Sequence, residues 1–149
     1  MTLWRISQHR ALDGVGGLRA SGRWHTVGSR IVYCAPNPGT ALVEVLVHVE
    51  IDLYDLPDPL PYLEIDVPDS SSIETLTAEA LGKTWITDIG VTRRIGDAWL
   101  RSGRTALLRV PSVVVPATWN VLINPMHSGS ADARIARTHS HSFDRRLLH

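Results

Sequence analysis

Apolar positions along the chain fall into short runs separated by glycine, proline and serine, rather than into long helical stripes. Leu3–Ser7 reads as a short first strand, and Arg30-Ile-Val-Tyr-Cys34, β-branched and apolar, as a second. Between them Asp13–Gly22 holds four of the eleven glycines (Gly14, Gly16, Gly17 and Gly22), which marks a loop. Asn37-Pro-Gly-Thr40 is a turn that ends in an N-cap at Thr40, and Ala41–Val49 follows as a helix with an almost wholly apolar circumference. Tyr62–Val67 alternates as a strand, while Ser70–Leu81 and Asp88–Arg101 carry helical spacing. Ala106–Val110 and Ser112–Val115 read as apolar strands separated by Pro111, and Arg134–Phe143 alternates as a final strand. Strands and helices mix without a βαβ rhythm. The expectation is an α+β fold: a single compact domain over residues 1–149, with a mixed or antiparallel sheet core and flanking helices.

A chain of 149 residues, 44% hydrophobic and 20% charged, can bury a core without disulfide or metal staples. No apolar run approaches the roughly 20 residues of a membrane span. The first residues, Met1-Thr-Leu-Trp-Arg5-Ile, lack a basic leader followed by an apolar core, and Cys34 is the sole cysteine. These features predict a cytoplasmic protein with no membrane contact. Fifteen basic and fifteen acidic residues give zero net charge, which argues against direct nucleic-acid binding. The zero hides a pattern, because the basic residues gather toward both ends and the acids in the middle. Fourteen of the fifteen basic residues are Arg, whose planar fork suits anions. Arginines from the two ends could line an anion site; simple pairing on the surface accounts for the counts equally well.

Three segments carry candidate chemistry. Glu44 stands alone among apolar neighbours in Thr40-Ala-Leu-Val-Glu-Val-Leu-Val-His48. A helix apolar all round is buried, and a buried carboxylate needs a partner. Thr40 and His48, four residues away on either side, are local candidates. Either Glu44 belongs to a structural pair with histidine or arginine, or it is kept in a cleft to face developing positive charge. The second segment, Gly16-Gly-Leu-Arg-Ala-Ser-Gly-Arg-Trp-His25, combines close backbone approach at glycine, forked donors at Arg19 and Arg23, and a stacking face at Trp24. It matches neither the dinucleotide fingerprint nor a Walker loop, so a plain surface turn is the alternative. In the third, Pro111 to His127, the polar members Ser112, Asn120, Asn124 and His127 interrupt apolar sequence. Ser112 is not in a Gly-x-Ser-x-Gly elbow. His139-Ser-His141 puts two imidazoles on one strand face, but no further ligand cluster at known spacing accompanies them, so no metal site is expected. Cys34 reads as a buried hydrophobe.

Taken together, these segments resemble the RES-domain family, named for its recurrent Arg, Glu and Ser. The resemblance runs through Leu3-Trp-Arg-Ile, Gly-Gly-Leu-Arg19, Gly-Arg-Trp-His25, Ile-Val-Tyr33, Ala41-Leu-Val-Glu-Val-Leu-Val-His48, Val110-Pro-Ser112 and Asn120-Val-Leu-Ile-Asn-Pro-Met-His127. Each piece is weakly specific; their order is strongly so. The resemblance implies a fold similar to ADP-ribosyltransferase toxins and destruction of NAD by cleavage of its nicotinamide–ribose bond, with water or inorganic phosphate as acceptor. It further implies the toxin role in a bacterial pair whose antitoxin is an Xre-type helix-turn-helix protein, and leaves a homodimer within that complex open. NAD is then the substrate, and no cofactor is implied. Carried over by position, the catalytic set is Arg23, Tyr33, Glu44 and Ser112, and the substrate-binding set is Arg5, Arg19, Trp24, Asn120 and Asn124. Transfer of ADP-ribose to a macromolecule and a non-enzymatic binding module are the alternatives. One departure is Ser128, where many family members continue His-Pro.

Overall fold

The computed structural model describes residues 1–48 and 56–148. In chain order the elements are β1 (Thr2–Ile6), β2 (Val32–Cys34), α1 (Pro38–His48), β3 (Leu60–Asp66), β4 (Ile73–Thr75), α2 (Ala78–Leu81), α3 (Ile89–Ser102), β5 (Leu107–Pro111), β6 (Trp119–Ile123) and β7 (Arg134–His141). They form two sheets: β1-β3-β7, all antiparallel, and β2-β6-β5-β4, antiparallel except for the parallel β4–β5 pair. The expected α+β class with mixed and antiparallel pairing is what the chain adopts.

An isolated antiparallel bridge between Trp4 and Ala35 joins the sheets. The Trp4 amide donates to Ala35 O at 2.8 Å, and the Ala35 amide to Trp4 O at 2.7 Å. One apolar cluster, with Leu3, Val32, Leu63, Ile65, Leu107 and Ile123 at its centre, fills the space between the sheets. A second, built on Trp24, Trp85, Trp99, Leu108, Val110 and Leu122, joins the opposite face of the four-stranded sheet to α3. Burial of these side chains is the main force holding the layers together.

Helix α3 is a well-bounded element. The Asp88 side chain accepts the Gly90 amide at 2.9 Å, and Gly103, at φ 59°, closes the helix in the left-handed conformation that glycine allows. For α1 the cap is Asn37 rather than Thr40: Asn37 Oδ1 accepts the Thr40 amide at 2.8 Å, and Pro38 takes the first helical position. The expectation that α1 is buried all round also fails. Ala41 is buried, whereas Leu42 to Leu46 are half-buried and Val47 is 53% exposed, because the helix packs on β1 and borders open hollows rather than being enclosed.

Two further expectations are corrected. Ser70–Leu81 is not one helix but strand β4 followed by the single turn α2. Ser72 Oγ accepts the Ala106 amide, which brings Ile73–Thr75 beside β5, and Thr77 restarts the chain as a helix cap. Ser112–Val115 is not a strand, because Ser112 Oγ accepts the amides of Val114 and Val115, both at 3.1 Å, and folds the segment into a turn. The strand of this region, β6, lies further on, and Pro111 ends β5 opposite Trp119 rather than dividing two strands.

Candidate active site

Beside the bridge between the sheets is a cavity of about 410 Å3. Its walls are Trp4, Arg5 and Ile6 from β1, Ser21, Gly22 and Arg23 from the glycine-rich loop, Tyr33 and Cys34 from β2 with Ala35 after it, Ala41, Glu44 and Val45 from α1, and Asn120 from β6. The helical spacing of 41, 44 and 45 turns one face of α1 onto this space. Five of the nine predicted residues, Arg5, Arg23, Tyr33, Glu44 and Asn120, thus meet in one cavity.

The carboxylate of Glu44 is fixed by residues far away in sequence rather than by Thr40. Ser112 Oγ and Asn120 Nδ2 both donate to Glu44 Oε1, each at 3.0 Å. The side chain of His48 lies outside the described residues. Two donors on one oxygen set the plane of the carboxylate and hold it at the cavity wall. Because the amide must turn its nitrogen toward a carboxylate, Asn120 Oδ1 points elsewhere, and it is a buried acceptor without a partner among the described residues. Ser112 is 8% exposed and does not reach the cavity. Its contribution is to position Glu44.

Arg23 is built in rather than free. Its Nη2 donates to the carbonyl of Trp85 at 2.7 Å and to that of Ile86, while its Nε is buried without a partner among the described residues. Burial, with the charge of Arg93 nearby, lowers its pKa from the usual guanidinium range. Helix α3 holds this loop by backbone contacts. Thr92 Oγ1 donates to Arg23 O at 2.6 Å, Arg93 Nε to Gly22 O at 2.9 Å, and the Asp97 carboxylate accepts both the amide and the hydroxyl of Thr26. A Cβ on Gly96 would sit 1.6 Å from Trp24 O, so only glycine lets the helix approach this closely.

Tyr33 is locked by a hydrogen-bond chain whose direction can be deduced. His25, 2% exposed, turns Nε2 to the carbonyls of Ala20 (3.0 Å) and Gly17 (3.3 Å), which accept only, so Nε2 carries a proton. In the neutral ring Nδ1 is then an acceptor, and at 2.7 Å it takes the Tyr33 hydroxyl proton. The same hydroxyl oxygen accepts the Trp24 amide at 3.1 Å. Burial raises the phenol pKa, so it stays protonated. Its proton is committed to His25, and the cavity is offered the ring. Gly22 makes room for this arrangement, since a Cβ there would fall 2.4 Å from the Tyr33 hydroxyl.

Three predicted residues are not at the site. Trp24 is 3% exposed in the core against Trp85, and the tryptophan at the cavity is Trp4. Close packing of α3 turns the Trp24 indole inward, whereas Trp4 lies in the strand that borders the cavity. Arg19 is exposed after the short 3-10 turn Val15–Leu18 and lines no part of the cavity. Asn124 is 3% exposed and builds a turn: Oδ1 accepts the Met126 amide, and its carbonyl accepts the His127 amide and the Ser130 hydroxyl. Cys34 lines the cavity, but burial pushes its thiol up to about 12, so it is no thiolate nucleophile. Trp4, Gly22, His25 and the α3 residues 92, 93, 96 and 97 are the participants that the sequence reading did not assign. Trp4 adjoins Arg5 in the first motif, whereas the α3 contacts left no local signal beyond a glycine inside a helix. Among the described residues, no group of three or more His, Cys, Asp or Glu side chains is placed to share a metal ion, and no helix is long and apolar enough to cross a membrane.

Comparison with known proteins identifies the family and the fold. The RES domain matches residues 2–146. A protein of Pseudomonas putida named "Toxin Res" is 44% identical over 135 residues, 91% of this chain and 92% of its own. A Sphingobium protein named "Prs ADP-ribosylating toxin" is 34% identical over 157 residues, 99% of this chain and 96% of its own. Among solved structures, a chain of the Mycobacterium tuberculosis MbcT–MbcA toxin–antitoxin complex superposes with a TM-score of 0.76 at 21% identity, covering 95% of this chain and 84% of that one. With a family match over nearly the whole sequence and these relatives, the chain belongs to the RES domain family.

Proposed function

We propose that this protein is the toxin of a bacterial toxin–antitoxin pair, and that its cavity breaks the nicotinamide–ribose bond of NAD. The observation that carries this reading is the Glu44 carboxylate, held on one oxygen by Ser112 and Asn120 at the wall of a cavity that also contains two arginines. Cleavage of the bond sends its electron pair to the pyridine nitrogen. The nicotinamide leaves neutral, and positive charge develops on the ribose. A fixed carboxylate facing that charge stabilises the transition state electrostatically. Glycosidases, whose leaving oxygen would otherwise depart as an alkoxide, need a second carboxyl to protonate it. Here the leaving group already carries its charge, which suits a cavity whose lining, among the described residues, includes Glu44 as its one acid. It also suits a Tyr33 whose proton is committed elsewhere.

Further roles follow from the bonds already made. Arg5, on β1, supplies positive charge for the pyrophosphate or for an incoming phosphate. The buried donor at Arg23 Nε and the buried acceptor at Asn120 Oδ1 are the kind of groups that polar substrate atoms satisfy. Left unpaired, each costs about 1–3 kcal/mol. The Tyr33 ring offers an apolar face to nicotinamide or ribose. Water or phosphate then attacks the anomeric carbon to complete hydrolysis or phosphorolysis. The antitoxin, an Xre-type helix-turn-helix protein on this reading, silences the toxin by covering the cavity.

Incubating the purified protein with NAD is expected to release free nicotinamide over many turnovers. Phosphate dependence of the rate, with a phosphorylated ADP-ribose product, identifies phosphorolysis; free ADP-ribose in phosphate-free buffer identifies hydrolysis. The name of the Sphingobium relative favours a second reading, transfer of ADP-ribose to a macromolecule. In that case adenylate label from NAD appears on a macromolecule. NAD left intact in every arm, with expression harmless to bacteria, would reject both readings in favour of a binding module.

A further inference from the structure

A second hollow of about 380 Å3 adjoins the first and shares Trp4 with it as a common wall. Its other walls are Pro38, Gly39 and Leu42 from the first turns of α1 and Tyr62, His139 and His141 from β3 and β7. The register explains the gathering of rings. Tyr62 pairs with Ile6 on β1 and with His139 on β7, so their side chains share one face of the three-stranded sheet. Trp4, two residues before Ile6, emerges on that same face. The rings form two contacting pairs, Trp4 with His139 at 5.5 Å and Tyr62 with His141 at 6.5 Å between centroids. Nothing in the mechanism above uses this groove.

We propose that the groove seats the adenine of the dinucleotide, an inference that rests on the NAD reading above. A cavity of 410 Å3 lies at the lower end of the roughly 300–1,000 Å3 of ligand pockets and suits the nicotinamide riboside half better than a whole dinucleotide. The second half needs a continuation, and the hollow beyond Trp4 provides it. Helix α1 runs along both spaces, with Ala41, Glu44 and Val45 on the first and Pro38, Gly39 and Leu42 on the second. Arg5, next to Trp4 in sequence, puts positive charge on the cavity side of the shared wall, where the pyrophosphate joining the halves would cross. An open floor of indole, phenol and imidazole rings is matched by a flat, neutral heteroaromatic ring, which gains affinity by stacking.

The test pairs NAD with nicotinamide mononucleotide, which lacks the adenylate, and compares the wild type with the double variant His139→Ala/His141→Ala. Both histidines are exposed near the end of β7, so the fold is expected to survive. The groove predicts a KM for NAD raised roughly tenfold, with kcat and the constants for nicotinamide mononucleotide unchanged. Calorimetry with AMP gives a readout independent of turnover: AMP binds the wild type and loses affinity by a similar factor in the variant. An unchanged AMP affinity, or equal rises in KM for both substrates, overturns the adenine assignment. If NAD is cleaved while AMP ignores the histidines, only the groove assignment fails. If AMP binds through the histidines but no nicotinamide is released, the groove stands and the cleavage reading fails.

Discussion

Replacing Glu44 by Gln is expected to lower nicotinamide release from NAD by roughly 10²–10³-fold, the scale of losing one preorganised electrostatic stabiliser. Gln keeps the shape of the side chain and one carbonyl oxygen, so it can still accept from Ser112 Oγ and Asn120 Nδ2, the two donors that now meet Oε1. What it loses is the charge. KM for NAD and the thermal midpoint are therefore expected to move little, while kcat carries the loss. Steady-state kinetics beside a melting curve checks this. Turnover at the wild-type rate would remove Glu44 from the chemistry, and a collapsed fold would make it a structural residue instead.

The largest expected loss of stability is at Gly96→Ala. The new Cβ would fall 1.6 Å from the backbone oxygen of Trp24, and no rotamer change relieves a clash with main chain. Helix α3 must shift away, loosening the bonds from Thr92 and Arg93 to the loop and from Thr26 to Asp97. Overpacking of this kind costs about 3 kcal/mol, which lowers the melting midpoint of a chain this size by roughly 6–12 °C. Gly16→Ala is the matched comparison. It has no neighbour within 4 Å of the added carbon, and a change within about 0.5 kcal/mol is expected. Equal midpoints for the two variants would contradict the account of how α3 holds the Arg23 loop.

The parts of the fold that were legible in the sequence are those governed by local chemistry. Asp88 and Gly103 bracket α3 within a residue of the expected span, and the alternating run of β3 is where its pattern put it. Ser112 shows why other parts were not legible. Its hydroxyl bends the chain through two amides while also holding Glu44, 68 residues away, and neither partner is visible in a run that reads as apolar strand. The site divides in the same way. Arg5, Arg23, Tyr33, Glu44 and Asn120 were recoverable as residue types set in motifs. That Trp4 rather than Trp24 faces the cavity depends on which way each indole turns, and packing against α3 decides this. The Tyr33–His25 chain was likewise hidden, because its direction follows from two carbonyls that the fold places behind the imidazole.

The central claim is that a fixed carboxylate faces a ribose cation as the pyridine leaves. The most direct measurement is the rate of nicotinamide release, under single-turnover conditions, from NAD deuterated at the anomeric carbon of the nicotinamide ribose. The account predicts slower release of the labelled substrate, because the anomeric hydrogen loosens as the cation forms. Equal rates for labelled and unlabelled NAD, or NAD that the protein leaves whole, would contradict it.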